Sequence, residues 1–273
     1  MITFANAKIN LGLDIVRKRA DGYHDISTIF YPIPLADAVE IVKTDGETGF
    51  ESYGIEIDCP PEKNLVMKTY EMFRAEFNLP NSLIGLMKKV PFGAGLGGGS
   101  SDAAAVAKIV NTMYNLRLSD EELAARVVKI GADCPFFIYN RPMIASGIGD
   151  ILNPVDLSLK GYKIVLVKPD VHVSTAEAYS GVTPREPAEP LEKLIQRPIS
   201  EWRGLVKNDF EDSVFAAHPE LADIKQAFYD NGAVYASMSG SGSAIYGIFD
   251  NDRLAEKYAE SIDAYLLETF SKR

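Results

Sequence analysis

Two hydrophobic periods alternate along the chain. Residues 2–13, 38–43, 54–58, 82–90, 162–168, 233–238 and 244–249 carry apolar side chains at every second position or in short unbroken runs, which predicts strands. Residues 65–77 place Leu65, Val66, Tyr70, Phe73 and Phe77 at helical spacing, and 100–116, 119–130, 218–231 and 253–269 also read as helices. Ser119 before three acidic residues signals a helix start, and Asn231-Gly232 signals a stop. Pro184, Pro187, Pro190 and Pro198 mark a Glu-rich surface loop or short helix. Strands and helices mix without strict alternation, so the expected class is α+β rather than a doubly wound sheet. With 273 residues two lobes are expected, 1–155 and 156–273, cut before the strand at 162.

Composition narrows the field. Hydrophobic residues make up 47% and charged residues 24%, enough apolar material for a core. There are 38 acidic against 28 basic residues, a formal charge of −10. That balance argues against nucleic acid or an anionic membrane as the main partner. The longest uncharged stretch, residues 231–249, holds eight Gly or Ser and is too polar to face lipid. The N-terminal residues lack a basic segment followed by an apolar one, so no signal peptide is expected and the cytoplasm is the expected compartment. Cys59 and Cys134 have no C-x-x-C spacing, and His24, His172 and His218 have no metal-ligand spacing.

The segment from Pro91 to Asp102 carries most of the information. Five of the chain's 21 glycines fall within positions 93–99, directly after a strand and before an Ala-rich helix. Glycine costs entropy wherever it is ordered, so such density needs a reason. Without Cβ atoms, successive N–H groups can turn inward around an anion, and the helix that follows adds its own unsatisfied N–H groups and its dipole. Strand, glycine loop and helix start therefore predict a phosphate cradle. The loop is not a Walker A sequence, because no lysine precedes the serines after Gly99. It is not a dinucleotide fingerprint either, because no acidic residue occurs across 110–118. A protein-kinase loop would bring H-R-D and D-F-G, and both are absent. Lys88 and Lys89, just before the loop, are either neighbours of a bound nucleotide's phosphates or solvated strand-end charges.

Three separated segments resemble the small-molecule kinases of the galactokinase, homoserine kinase, mevalonate kinase and phosphomevalonate kinase superfamily. They are Ala7-Lys8-Ile9-Asn10-Leu11, the glycine loop, and Met238-Ser-Gly-Ser-Gly-Ser243. Arg19-Ala-Asp-Gly-Tyr-His24 and Gly131-Ala-Asp-Cys-Pro-Phe136 narrow the resemblance to the branch that phosphorylates 4-diphosphocytidyl-2-C-methyl-D-erythritol in non-mevalonate isoprenoid biosynthesis. The resemblance implies a two-lobed fold with its active site in the cleft between lobes. It implies ATP with Mg²⁺ and a small-molecule acceptor carrying a cytidine diphosphate.

Residue by residue, the resemblance implies that Asp133 is the general base and Lys8 the catalytic lysine. Pro91, Gly93, Gly95, Leu96, Gly97, Gly98, Gly99, Ser100 and Ser101 would bind ATP. Asn10 would meet the substrate near its reacting hydroxyl, and Tyr23 and His24 would read the cytosine. Thr175 and Tyr179 align with a second cytidine contact, and Ser239 and Gly240 with a second small-residue turn near the substrate. No carboxylate pair identifies protein ligands for the metal. The rival expectations are a homoserine- or mevalonate-type kinase, a diphosphomevalonate-decarboxylase-like lyase on the same scaffold, and a non-catalytic nucleotide-binding regulator. Read without the resemblance, Lys8 is an exposed strand lysine and Asp133 a turn or helix-cap residue.

Overall fold

The computed structural model describes residues 1–57, 59–262 and 264–269. In chain order the main elements are β1 (Ile2–Lys18), β2 (His24–Lys43), β3 (Gly49–Gly54), α1 (Leu65–Phe77), β4 (Ser82–Lys88), α2 (Gly98–Met113), α3 (Asp120–Val127) and α4 (Cys134–Tyr139). They continue with β5 (Met143–Ser146), β6 (Ile151–Pro154), β7 (Lys163–Val167), α5 (Thr175–Ser180), α6 (Leu191–Leu194), α7 (Glu211–Ala217) and α8 (Pro219–Asp230). The last are β8 (Tyr235–Met238), β9 (Ile245–Phe249), α9 (Asp252–Ser261) and β10 (Tyr265–Glu268). Strands and helices intermix as the α+β class requires.

The chain forms two compact units from interleaved segments. The first takes Met1–Ala7, Leu35–Phe92 and Gly97–Arg141; the second takes Lys8–Pro34, Gly93–Leu96 and the chain from Pro142 onward. The expected boundary at 155/156 is one linear cut, whereas β1, β2 and the glycine loop each contribute to both units. Strand pairing is the reason for β2. Its early residues Thr28, Ile29 and Phe30 pair with Ala145, Ile144 and Met143 of β5, and its later residues from Ala38 to Lys43 pair with β4.

In the first unit, β4 lies between β2, antiparallel, and β3, parallel. One face of β2 and β4 buries Val39, Ile41, Ile84 and Leu86. Helix α1 begins where the Asn64 side chain accepts from the Val66 N–H, and it ends at Asn78 in the left-handed conformation. Its buried stripe includes Val66, Tyr70 and Phe73, and it packs on α2. Four of the buried residues of α2 are Ala103, Ala104, Ala105 and Ala107, small enough to let neighbouring helices approach. Ser119 and Glu122 form a full capping box at the start of α3, as the sequence led us to expect.

The second unit holds a four-stranded sheet in the order β10-β7-β9-β8, all neighbours antiparallel. Helix α8 covers it, with Phe228, Phe249 and Tyr258 at the centre of the core. Four expectations change here and in the first unit. The strand expected at 54–58 is instead β3, ending at Gly54; Asp58 lies outside the described residues. The first strand runs on to Lys18, and 38–43 is only the end of a 20-residue strand. The final helix stops at Ser261, because the alternation around Leu267 suits pairing with β7.

Candidate functional site

Lys8 and Asn10 sit two apart on β1 and so share a face. Lys8 is only 4% exposed, which removes the solvated-strand alternative. Its Nζ donates to Asn10 Oδ1 at 2.5 Å and lies 4.8 Å from the centre of the Phe30 ring. Asn10 is held on every side. Its Nδ2 donates to Thr28 Oγ1 at 2.9 Å, its N–H donates to Ser239 Oγ at 3.2 Å, and its carbonyl accepts from the Tyr246 hydroxyl at 2.7 Å. A buried ammonium is tolerated only with such partners, so the local fold fixes where its charge points.

In the same unit, Ser239 Oγ donates to the Gly95 carbonyl at 2.8 Å and the Lys8 N–H donates to the Leu96 carbonyl at 3.0 Å. Gly93 and Gly95 have positive φ here, at 59° and 73°, as does Gly97 at the start of the first unit's next segment, at 69°. Alternate left-handed residues turn neighbouring N–H groups toward one side, which makes a nest for an anion. At Gly95 a Cβ would collide with the Ser239 carbonyl oxygen, so only glycine fits. Gly240, at φ 55°, belongs to the same close approach, with Gly95 Cα 3.2 Å from the place of its Cβ.

In the first unit, Gly97 precedes α2 without any side-chain cap. The first hydrogen bond of the helix runs from the Ser101 N–H to the Gly97 carbonyl at 2.9 Å, so the N–H groups of Gly98, Gly99 and Ser100 have no partner within the helix. Bare N–H groups, the helix dipole and a side-chain-free entry fit the phosphates of a nucleotide. Ser101 itself is buried and its hydroxyl donates to the Asn6 carbonyl at 2.7 Å, a structural tie. Burial pushes the Cys134 thiol up to about 12, away from the thiolate form. Pro91 ends the approach from β4. Asp133 stands half-buried at the start of α4, and its carboxylate does not cap that helix.

The aromatic candidates gather in the second unit. The His24 and Tyr179 rings stack at 4.8 Å and 19°. Arg19 clasps Asp21 at 2.9 Å and Asp25 at 3.1 Å, and its N–H donates to the Tyr23 carbonyl at 2.8 Å. Hydrogen bonding from Arg19 holds the Asp21 carboxyl below the usual range, and Arg17 with Arg19 does the same for Asp25. This closed turn leaves Tyr23 61% exposed. Thr175 and Tyr179, four apart on α5, lie on one helix face, with Ser174 capping its start.

Lys88 is not the solvated strand-end charge that was one reading of its position. It is 2% exposed, and its Nζ pairs with Asp37 at 2.5 Å and with Asp102 at 2.8 Å. Asp37 Oδ1 also accepts the N–H groups of Lys89 and Val90. Burial raises the Asp102 carboxyl to about 7, and its Oδ1 has no hydrogen-bond partner among the described residues. Lys88 Nζ lies 2.9 Å from where a Cβ of Gly98 would stand, so this cluster underlies the start of α2. Sequence reasoning missed Asp37 and Asp102, for which a single buried lysine gives no spacing signal. It also missed Asn208, described below. Among the described residues no group of three or more His, Cys, Asp or Glu side chains is placed to hold a metal, and no helix is long and apolar enough to cross a membrane.

Bare N–H groups at a helix start and a buried, partnered lysine are parts that a nucleotide-dependent transferase can use, and comparison with known proteins shows the family. The GHMP kinases N terminal domain matches residues 64–141 and the GHMP kinases C terminal domain matches residues 190–266. A 4-diphosphocytidyl-2-C-methyl-D-erythritol kinase from Bacteroides fragilis is 53% identical over 260 residues, covering 94% of this chain and 95% of the relative. Another, from Parabacteroides distasonis, is 52% identical and covers 98% of both. A crystal structure of 4-(cytidine 5'-diphospho)-2C-methyl-D-erythritol kinase superposes with a TM-score of 0.85 at 31% identity, covering all of both chains. The chain belongs to the 4-diphosphocytidyl-2-C-methyl-D-erythritol kinase family of the GHMP kinases, and is an ATP-dependent phosphotransferase.

Proposed function

We propose that this protein transfers the γ-phosphoryl group of ATP to the 2-hydroxyl of 4-diphosphocytidyl-2-C-methyl-D-erythritol, in the cytoplasm. ATP, carried with Mg²⁺, would supply the phosphoryl group, and the metal would offset negative charge on its phosphates. The N–H groups of the glycine loop and of the first turn of α2 hold the phosphates. Asp133 receives the proton as the acceptor oxygen attacks phosphorus and the bond to the ADP oxygen breaks. Lys8 offsets negative charge on the transferring group, and Asn10 orients the acceptor near its hydroxyl. Tyr23, His24, Thr175 and Tyr179 hold the cytosine, while Ser239 and Gly240 shape the acceptor's surroundings.

The choice of acceptor rests on the stacked His24 and Tyr179 rings, 4.8 Å apart. A flat aromatic platform suits a pyrimidine, and a homoserine or mevalonate acceptor has no ring to place on it. The test is ADP release from Mg·ATP with the cytidyl acceptor, mevalonate, phosphomevalonate, diphosphomevalonate and homoserine in parallel. Turnover on the cytidyl acceptor alone is expected, and Asp133→Asn lowers kcat by about 10²–10⁴-fold. Preference for another acceptor overturns the substrate assignment. ATP binding without any turnover makes the protein a binding module instead.

A further inference from the structure

Four consecutive residues of the second unit, 208–211, fall outside every motif that pointed to phosphoryl transfer, yet each one grips a different part of the apparatus. Asn208 is 3% exposed and uses its whole amide. Its Nδ2 donates to the carbonyls of Met238 at 2.9 Å and Gly240 at 2.8 Å, and its Oδ1 accepts the Phe210 N–H at 3.0 Å. Asp209 holds β1 just past Asn10: its N–H donates to the Leu13 carbonyl and its Oδ2 accepts the Ile15 N–H, each at 2.8 Å. Phe210 sets its ring edge-on to Tyr179, at 4.8 Å and 86°. Glu211 accepts the Met238 N–H at 2.8 Å and the Ser237 hydroxyl at 3.0 Å.

These ties converge. The turn held by Asn208 contains Ser239, which fixes Asn10 and the Gly95 carbonyl, and Asn10 in turn fixes the Lys8 ammonium. The neighbour held by the other end of the same amide, Phe210, backs the ring that stacks on His24. We propose that Asn208 is a positioning residue for the reaction, setting the Lys8–Asn10 pair through its two donated hydrogen bonds and the Tyr179 platform through the one it accepts. Only an amide fits this place. A carboxylate lacks the two donors, an amine lacks the acceptor, and an apolar side chain strands three buried backbone groups. A fully satisfied buried network is rigid, and rigidity here is shared by the phosphoryl end and the base end of the acceptor.

The inference rests on the proposed function, and two variants separate its arms. Asn208→Asp keeps the acceptor for the Phe210 N–H but turns a carboxylate oxygen toward two carbonyls. Its kcat is expected to fall about 10–100-fold, the scale of a small misplacement of a reacting group, with the KM for the cytidyl acceptor within about twofold of wild type. The deficit shrinks as the pH falls from about 8 to about 6, because a protonated Asp at this position regains a donor. Phe210→Leu does the reverse, raising the acceptor KM about three- to tenfold, the worth of one edge-on aromatic pair, with kcat and the ATP KM unchanged. Both are measured on protein shown to be folded by circular dichroism.

Opposite shifts in kcat and KM support the role. Wild-type kinetics in both folded variants, or losses that simply track the folded fraction, overturn it. A wild-type protein that prefers a different acceptor overturns the substrate reading and the Phe210 arm together, and the Asn208 arm is then decided on that acceptor by the same kcat and pH readings. A wild-type protein with no turnover on any acceptor overturns both.

Discussion

Each unit places a buried polar assembly next to a functional backbone segment, and the two are built on opposite principles. Under the start of α2, Lys88 is locked between Asp37 and Asp102, two buried carboxylates around one buried ammonium. Around β1, Asn10, Thr28, Ser239 and Asn208 form a largely neutral network that ends in the Lys8 ammonium. The ionic cluster anchors firmly but titrates and fails if one member is lost. The neutral network is weaker bond by bond and insensitive to pH, and it fixes direction. A loop proposed to cradle phosphate needs a firm floor, whereas a lysine proposed to act on the transferring group needs an unchanging aim.

The largest effect expected from this contrast is on the ionic side. Lys88→Met leaves Asp37 and Asp102 facing each other in the dry interior, and should cost about 3–5 kcal/mol by denaturant unfolding. A loss below about 1 kcal/mol would mean that water reaches the cluster. Next is Ser239→Ala, which strips partners from the Asn10 N–H and the Gly95 carbonyl. Its stability cost should be about 1–3 kcal/mol, accompanied by a fall in kcat because Asn10 and Lys8 lose their fastening. A full kcat with the same stability loss would separate that network from the chemistry.

The smallest and sharpest test uses pH. Burial raises the Asp102 carboxyl to about 7 in the folded protein, against about 3.9 in an unfolded chain. The folded state therefore binds that proton more tightly, and its contribution to stability is complete below about pH 4 and lost as the pH rises through about 7. Asp102→Asn keeps an acceptor for Lys88 but cannot ionise. Its melting temperature relative to wild type should climb between about pH 5 and about pH 8; a flat difference would show that Asp102 stays ionised throughout.

Much of this molecule can be read from its sequence, and the exceptions have physical causes. Residues 65–77 were legible as α1 from the apolar stripe alone, and the Asn64 cap and the left-handed Asn78 fix the same ends in the structure. The glycine loop was legible because dense glycine has few structural uses, and the left-handed conformations of Gly93, Gly95 and Gly97 are those uses. The long reach of β2 was hidden because Tyr31 through Ile33 are buried consecutively, without alternation, across Pro32. Asp37, Asp102 and Asn208 were invisible for a different reason. A lone polar residue inside an apolar stretch carries no period, and its partners come from 14 to 51 residues away. Asp133 shows the limit from the other side: only family resemblance picked out a carboxylate whose local sequence suggests a cap, and the helix leaves that cap unmade.

The strand that bears Lys8 and Asn10 is made long before it is secured. Its fasteners, Ser239 and Tyr246, lie 229 and 236 residues downstream of Asn10. At ribosomal speeds of about 5–20 residues per second, roughly ten to fifty seconds separate the appearance of this strand from that of its anchors. During that interval the nascent chain has a glycine loop and the helix behind it but no aimed lysine. Contacts of such sequence separation also form slowly. On the roles proposed above, a nascent chain lacks the means to act on nucleotide until Tyr246 has emerged, and truncation before Tyr246 removes the aim of Lys8 without touching Lys8 itself.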